Sequence, residues 1–173
     1  GQWPYSLFTE GRGIAATVAG TWVSVFWGGL TVGRFLAGVL TDRLGVHRLL
    51  RFSMIGVILG AALIVPQVAA LNALGMAVTG FMLAPIFPLL IASTRDRVGR
   101  AHAPNAIGFQ VAAAGLGFAI LPGLAGVLAG AIGLEVIGPF LVACALLMWA
   151  LYEITARWQQ TRRVGELASV PGR

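Results

Sequence analysis

The chain has 173 residues, 58% of them hydrophobic and 10% charged, with a mean hydropathy of +0.87. A soluble domain carries about a quarter charged residues, so this much apolar surface excludes a water-soluble globular protein. The net charge of +6 comes from arginine alone, and these arginines sit in short turns rather than interleaved with aromatics, which argues against a nucleic-acid partner.

The expected fold is an all-α polytopic transmembrane bundle whose solvent is the lipid bilayer. Residues 1–10 read as the end of a helix whose start is missing, so the chain is expected to be a fragment. The first full span, residues 14–40, has 27 residues and one charge, Arg34. As a helix it would be ~40 Å long, enough to cross a ~30 Å hydrocarbon layer with tilt. Four further spans are expected over residues 48–68, 71–94, 105–131 and 136–154. Residues 1–154 thus form one transmembrane unit, and 155–173 a polar tail.

Sidedness follows from the arginines. Arg43, Arg48, Arg51, Arg95, Arg97, Arg100, Arg157, Arg162, Arg163 and Arg173 fall on one side of these spans, and Arg12 on the other. The positive-inside bias makes the ten-arginine side, with the C-terminus, cytoplasmic. Small residues recur every four positions at Gly29/Gly33/Ala37, Gly56/Gly60 and Gly126/Gly130. Such ladders let lipid-embedded helices approach closely and read as packing seams.

Few residues inside the spans carry chemistry. No Asp, Glu or His lies deep in any of them, which excludes an intramembrane protease and a proton relay within this chain. No enzyme activity is expected. The one thiol, Cys144, leaves neither a disulfide framework nor a metal-ligand pattern, so no metal and no cofactor is expected. Ser24, Trp27, Thr31 and Arg34 share a helical face, which lines a water-filled cavity, forms a seam with another half, or lets Arg34 snorkel outward. Pro85 and Pro88 would break two backbone hydrogen bonds within one turn and kink the third span. Gln110 lies about a turn and a half inside the fourth span, either bridging helices or facing a ligand. Gln2, Trp3 and Tyr5 place an amide, an indole and a phenol near the middle of the truncated span. The two amides have depths compatible with one central cavity.

The turn Gly38-Val-Leu-Thr-Asp42-Arg43-Leu-Gly45-Val-His47-Arg48 resembles the loop signature of the major facilitator superfamily, found between the second and third helices of each six-helix half. Gln2-Trp-Pro-Tyr5, Gly33-Arg34-Phe-Leu-Ala-Gly38, Ala84-Pro-Ile-Phe-Pro88 and His102-Ala-Pro-Asn105-Ala-Ile-Gly-Phe-Gln110 follow in an order similar to the C-terminal half of the fucose-permease-like, sugar:proton symporter branch. The resemblance implies twelve helices in two halves, of which this chain holds five full spans and the end of a sixth. It also implies alternating access and a bacterial inner-membrane location, with the missing N-terminal half as partner. On this reading Gln2, Trp3, Tyr5, Trp27 and Gln110 bind a small polar solute, most simply a sugar. Gly38, Asp42, Arg43, Gly45 and Arg48, with Arg34 above them, form the cytoplasmic gating element, in which Asp42 anchors the seam against the other half. Val46 and His47 depart from the usual basic residues of the signature and weaken that element. An exporter of drugs or metabolites with the same fold is the alternative, and a membrane scaffold or channel subunit a more distant one.

Overall fold

The computed structural model describes residues 2–168, with side chains through Trp158, and every regular element among them is helical. A short helix α1 (Gln2–Ser6) runs into a π-helical turn (Leu7–Gly11). Then follow α2 (Ala16–Leu44), α3 (Val46–Ile64), α4 (Ala69–Leu83), α5 (Ile86–Val98), α6 (Ala103–Ile132), a 3-10 turn (Leu134–Val136) and α7 (Ile137–Ala168). Five segments are long and apolar enough to cross a membrane: Ala16–Leu44, Val46–Ile64, Ala69–Val98, Ala103–Ile132 and Leu134–Trp158.

Glycine sets three of the boundaries. Gly45, Gly99 and Gly133 take φ values of 76°, 80° and 108°, a region closed to most side chains, and each donates its backbone N–H to the carbonyl four residues back. The third span is broken at Pro85, between α4 and α5. Pro88 breaks nothing further, contrary to expectation, because it is the third residue of α5. An N–H there has no intrahelical acceptor in any case. A third proline, Pro122, lies inside α6. The last helix passes residue 154 without a break and runs on to Ala168.

The helix α4 is wedged between α2 and α3, and glycines make the wedge possible. A Cβ on Gly33 would stand 2.6 Å from the Ala84 Cβ, and one on Gly75 would stand 2.7 Å from the Gly60 carbonyl oxygen. Gly80 is tighter still, closed against the backbone of Phe26 on α2. Gly56 meets Met82, and Gly60 meets Thr79. The first two small-residue ladders are therefore contact seams. The third is not: Gly126 meets the indole of Trp3, and Gly130 faces open space.

Two apolar clusters fill the interior. One joins α3, α5 and α7 through Leu49, Leu50, Met54, Ile86, Leu89 and Tyr152. The other joins the π turn to α2, α3, α4 and α7 through Leu7, Phe8, Ala19, Ile64, Met76 and Ile137. Outward faces of α2 and α6 stay uncovered, with Phe35 80% and Phe118 83% exposed.

Backbone crowding at Gly80 makes a simple prediction. Gly80→Ala forces α4 away from the Phe26 carbonyl and lowers stability by about 1–3 kcal/mol, the usual cost of overpacking. Gly130→Ala, in open space, has no such cost. Thermal unfolding of the two purified variants should separate them by several degrees. Equal melting temperatures would remove the wedge from this account.

Candidate solute cavity

The start of the chain reaches its place through Arg12. Its side chain is only 5% exposed, and its Nε and Nη2 donate to Glu135 Oε1 and Oε2 at 3.0 and 2.7 Å. Nη1 donates to the carbonyls of Ile64 and Pro66 at 2.9 and 3.1 Å, and Nη2 to that of Val65 at 3.0 Å. Those carbonyls are the orphan acceptors at the C-terminal end of α3, where the helix dipole also favours a cation. One guanidinium thus ties the end of the π turn to α3 and to the α6–α7 turn. Phe8 completes the joint, edge-on to Trp22 at 5.0 Å.

Held this way, α1 stands beside α2 and leaves a cavity of about 720 Å³ between them. Gln2, Trp3, Tyr5 and Ser6 line it from α1, and Gly20, Val23 and Trp27 from α2. On α2 these three lie at helical spacing on one face. Gly20 leaves space that a side chain would fill, since nothing lies within 4 Å of where its Cβ would be. Trp3 is seated against Gly126 of α6, whose missing Cβ would stand 2.8 Å from the indole. No residue of this wall carries a formal charge at neutral pH. Amide, hydroxyl, phenol and two indoles offer hydrogen bonds and stacking faces, a set suited to an uncharged polar ligand.

Four of the sequence-selected residues, Gln2, Trp3, Tyr5 and Trp27, therefore share one cavity. Gln110 does not join them, so the expectation of one cavity for both amides is corrected. Its Oε1 accepts a hydrogen bond from Thr94 Oγ1 at 2.9 Å, clipping α6 to α5, and it lines a different cavity beside Arg97. Depth along the helix axis was compatible with a common site, but the azimuth of α6 turns Gln110 away. Ser6 and Gly20 escaped the sequence reading, and Gly126, read there as part of a helix–helix seam, instead seats Trp3. Ser6 lies one turn after Gln2 and Gly20 two turns before Trp27, so helical spacing from the chosen residues would have found both.

A second, apolar cavity of about 260 Å³ lies deeper, with Trp3 as the wall it shares with the first. Phe26, Met76, Pro122, Phe140 and Cys144 also line it, together with Thr79. The stripe Ser24, Thr31 and Arg34 is exposed on the uncovered face of α2. Ser24 and Thr31 return their hydroxyls to the carbonyls of Gly20 and Trp27.

At the opposite end of the bundle from Arg12, the loop-signature residues Gly38, Asp42, Arg43, Gly45 and Arg48 are all exposed. Asp42 sits in the last turn of α2, where the helix dipole disfavours a carboxylate. Beside this turn Arg51 donates through Nε and Nη2 to Glu153 at 2.6 and 3.0 Å, and His47 Nδ1 lies 3.0 Å from the Tyr152 hydroxyl. Seven described arginines (Arg43, Arg48, Arg51, Arg95, Arg97, Arg100 and Arg157) belong to this end of the bundle, against Arg12 at the other.

Five membrane-length helices, with no strand among the described residues, make the chain a polytopic helical membrane protein. Residues 3–171 match the family model of the Major Facilitator Superfamily, and the chain belongs to that family of membrane transporters. Comparison with curated proteins and with solved structures finds no match.

Arg12 is the test of how the cavity is built. Arg12→Met removes five hydrogen bonds at once and strands three helix-end carbonyls and Glu135. The expected loss is about 1–3 kcal/mol, because Arg12 is buried but Glu135 is 44% exposed, which places the pair between exposed and buried ion pairs. Glu135→Gln, which keeps an acceptor, should lose less. Melting temperatures of the purified variants check the order, and an Arg12→Met melting temperature equal to wild type would refute it.

Proposed function

We propose that the chain is the C-terminal half of a secondary active transporter that moves a small, uncharged polar solute, a sugar, by alternating access. The observation that carries this reading is the uncharged polar and aromatic wall of the 720 Å³ cavity. Amides and hydroxyls match sugar hydroxyls, and the indoles of Trp3 and Trp27 offer faces for a sugar ring. The first-half partner covers the exposed faces of α2 and α6 and supplies hydrogen-bond donors for Asp42, whose unfavourable place in its own helix is relieved by the free backbone N–H groups of a facing helix N-terminus. Transport is symport with an ion, and the coupling carboxylate belongs to the partner half, since the spans here hold none at depth. The arginine-rich end and the C-terminus face the cytoplasm of a bacterial cell, in its inner membrane.

Export of an apolar compound is the second reading, and the 260 Å³ apolar cavity behind Trp3 favours it. A solute panel separates the two: sugars should protect Trp27, which lines only the larger cavity, from fluorescence quenching, whereas hydrophobic dyes held in the apolar cavity should shield Trp3 and leave Trp27 open.

Gln2→Ala in the full-length transporter should weaken solute binding by roughly 5- to 150-fold, because one buried hydroxyl partner is left unsatisfied. Gln110→Ala should leave affinity unchanged and lower the melting temperature, since its amide is spent on Thr94. Isothermal titration beside thermal unfolding reads both, and unchanged affinity in Gln2→Ala would sink the binding role.

Sidedness has its own measurement. In a Cys144→Ser background, Glu135→Cys should react with an impermeant maleimide on intact cells, and Arg100→Cys should be protected. The reverse pattern would overturn the orientation.

A further inference from the structure

Trp3 stands between two spaces of opposite character. It lines the 720 Å³ cavity beside Gln2, Tyr5, Ser6 and Trp27, and it also closes the 260 Å³ apolar chamber; no other described residue lines both. The chamber walls are aliphatic and aromatic apart from Thr79 and Cys144, and the Thr79 hydroxyl is itself buried in the wall. A sugar hydroxyl entering there would shed its water and meet only a thiol, a weak partner. A phenyl ring would be well housed, since an apolar cavity of about 150 Å³ already stays dry and admits benzene.

The indole is positioned by what α6 lacks. A Cβ on Gly126 would stand 2.8 Å from Cζ2 and 3.0 Å from Cη2 of Trp3, and the third nearest atom, Cε2 at 4.0 Å, is also from Trp3. The benzo edge of the ring is therefore docked on α6, in the space a side chain at 126 would take. The helix α1 cannot withdraw with the ring, because Arg12 ties the turn that follows it to α3 and to Glu135. What freedom remains to the indole is rotation about its own side-chain bonds. While it is seated, an apolar group carried by a solute has to lie against Gln2, Tyr5 and Ser6 and strip water from them.

We propose that Trp3, seated on Gly126, is the specificity door of the solute cavity: closed, it admits a bare polar solute and refuses the same solute carrying an apolar substituent, for which the chamber behind has room. The solute half of this assignment rests on the sugar reading above; the door itself does not. Gly126 is a positioning residue that acts through the indole.

The door is tested first without any solute. Ala125 is buried and lines the chamber but neither the 720 Å³ nor the 550 Å³ cavity, so Ala125→Cys reports entry to the chamber alone. In the purified full-length transporter with its other thiols replaced, Cys144→Ser among them, the rate of modification by a water-soluble methanethiosulfonate is followed. It should rise roughly tenfold or more in Trp3→Ala, because a thiol reacts only where the reagent reaches it. Gly126→Ala should raise it severalfold, and should change nothing once Trp3 is alanine. A purely structural glycine would act alike in both backgrounds. The second arm titrates a panel of hexoses and pentoses and their phenyl glycosides. Wild type should hold a free sugar roughly tenfold or more tighter than its glycoside, and Trp3→Ala should erase or reverse that preference as the ring enters the chamber. Melting temperatures establish that each variant is folded, and if Trp3→Ala fails that control, Trp3→Leu decides. Equal thiol rates in wild type and a folded Trp3 variant would overturn the door, whatever the panel gives. A wild type that prefers phenyl glycosides would overturn its part in specificity. No sugar binding beside the expected thiol response would sink the sugar reading and leave the door standing.

Discussion

Everything in this bundle depends on how closely α4 can approach α2 and α3. Lipid tails are as apolar as leucine, so burying apolar surface between helices gains little, and dispersion at short range must hold the helices together. Gly80 against the Phe26 backbone, Gly33 against Ala84 and Gly75 against the Gly60 carbonyl bring three backbones into contact. With α4 fixed, the break at Pro85 sets the direction of α5, and α5 carries Thr94 to Gln110 and Arg97 to Tyr152. The arrangement of the arginine-rich end is thus a consequence of glycines placed near the middle of the membrane.

The parts of this fold that were readable in the sequence are those fixed by one-dimensional quantities. Length and hydropathy locate five spans, and the glycines at 45, 99 and 133 end helices because their backbone conformation excludes a Cβ. Where the outcome depends on which neighbour a face meets, periodicity falls short. Gly126 and Gly130 have the same spacing as Gly56 and Gly60. Yet one seats an indole and the other faces open space, because the short helix α1 reaches α6 at Gly126 and nothing stands within 4 Å at Gly130. Pro88 looked like a second break because a proline is scored without knowing where its helix begins; once α5 starts at Ile86, its missing N–H costs nothing.

The candidate site divides along the same line. Gln2, Trp3, Tyr5 and Trp27 could be chosen because polar and aromatic side chains at depth are expensive unless they do something. Gln110 met the same criterion and does something else, since the cost of a buried amide is relieved equally by a hydroxyl on the next helix. Arg12 was visible only as a lone charge on the poorer side. Its partners lie 52 to 123 residues away, and no local pattern announces a guanidinium that closes three carbonyls and a carboxylate together.

Charge is partitioned in a way that bears on mechanism. Ion pairs sit at the two ends, Arg12 with Glu135 and Arg51 with Glu153, while the 720 Å³ cavity between them has an uncharged wall. A fixed charge beside an uncharged solute would keep its own hydration or demand a counter-ion, and either would compete with the solute for space. An uncharged wall avoids that competition. On the proposed reading, such a wall would bind and orient a solute without sensing an ion gradient. If transport is coupled, the ion must be read where a titratable or anionic group stands at depth, and on the proposed reading that requirement would fall on a facing half. Coupling would then be a property of the seam between the halves, with Asp42 and the uncovered face of α2 on one side of it.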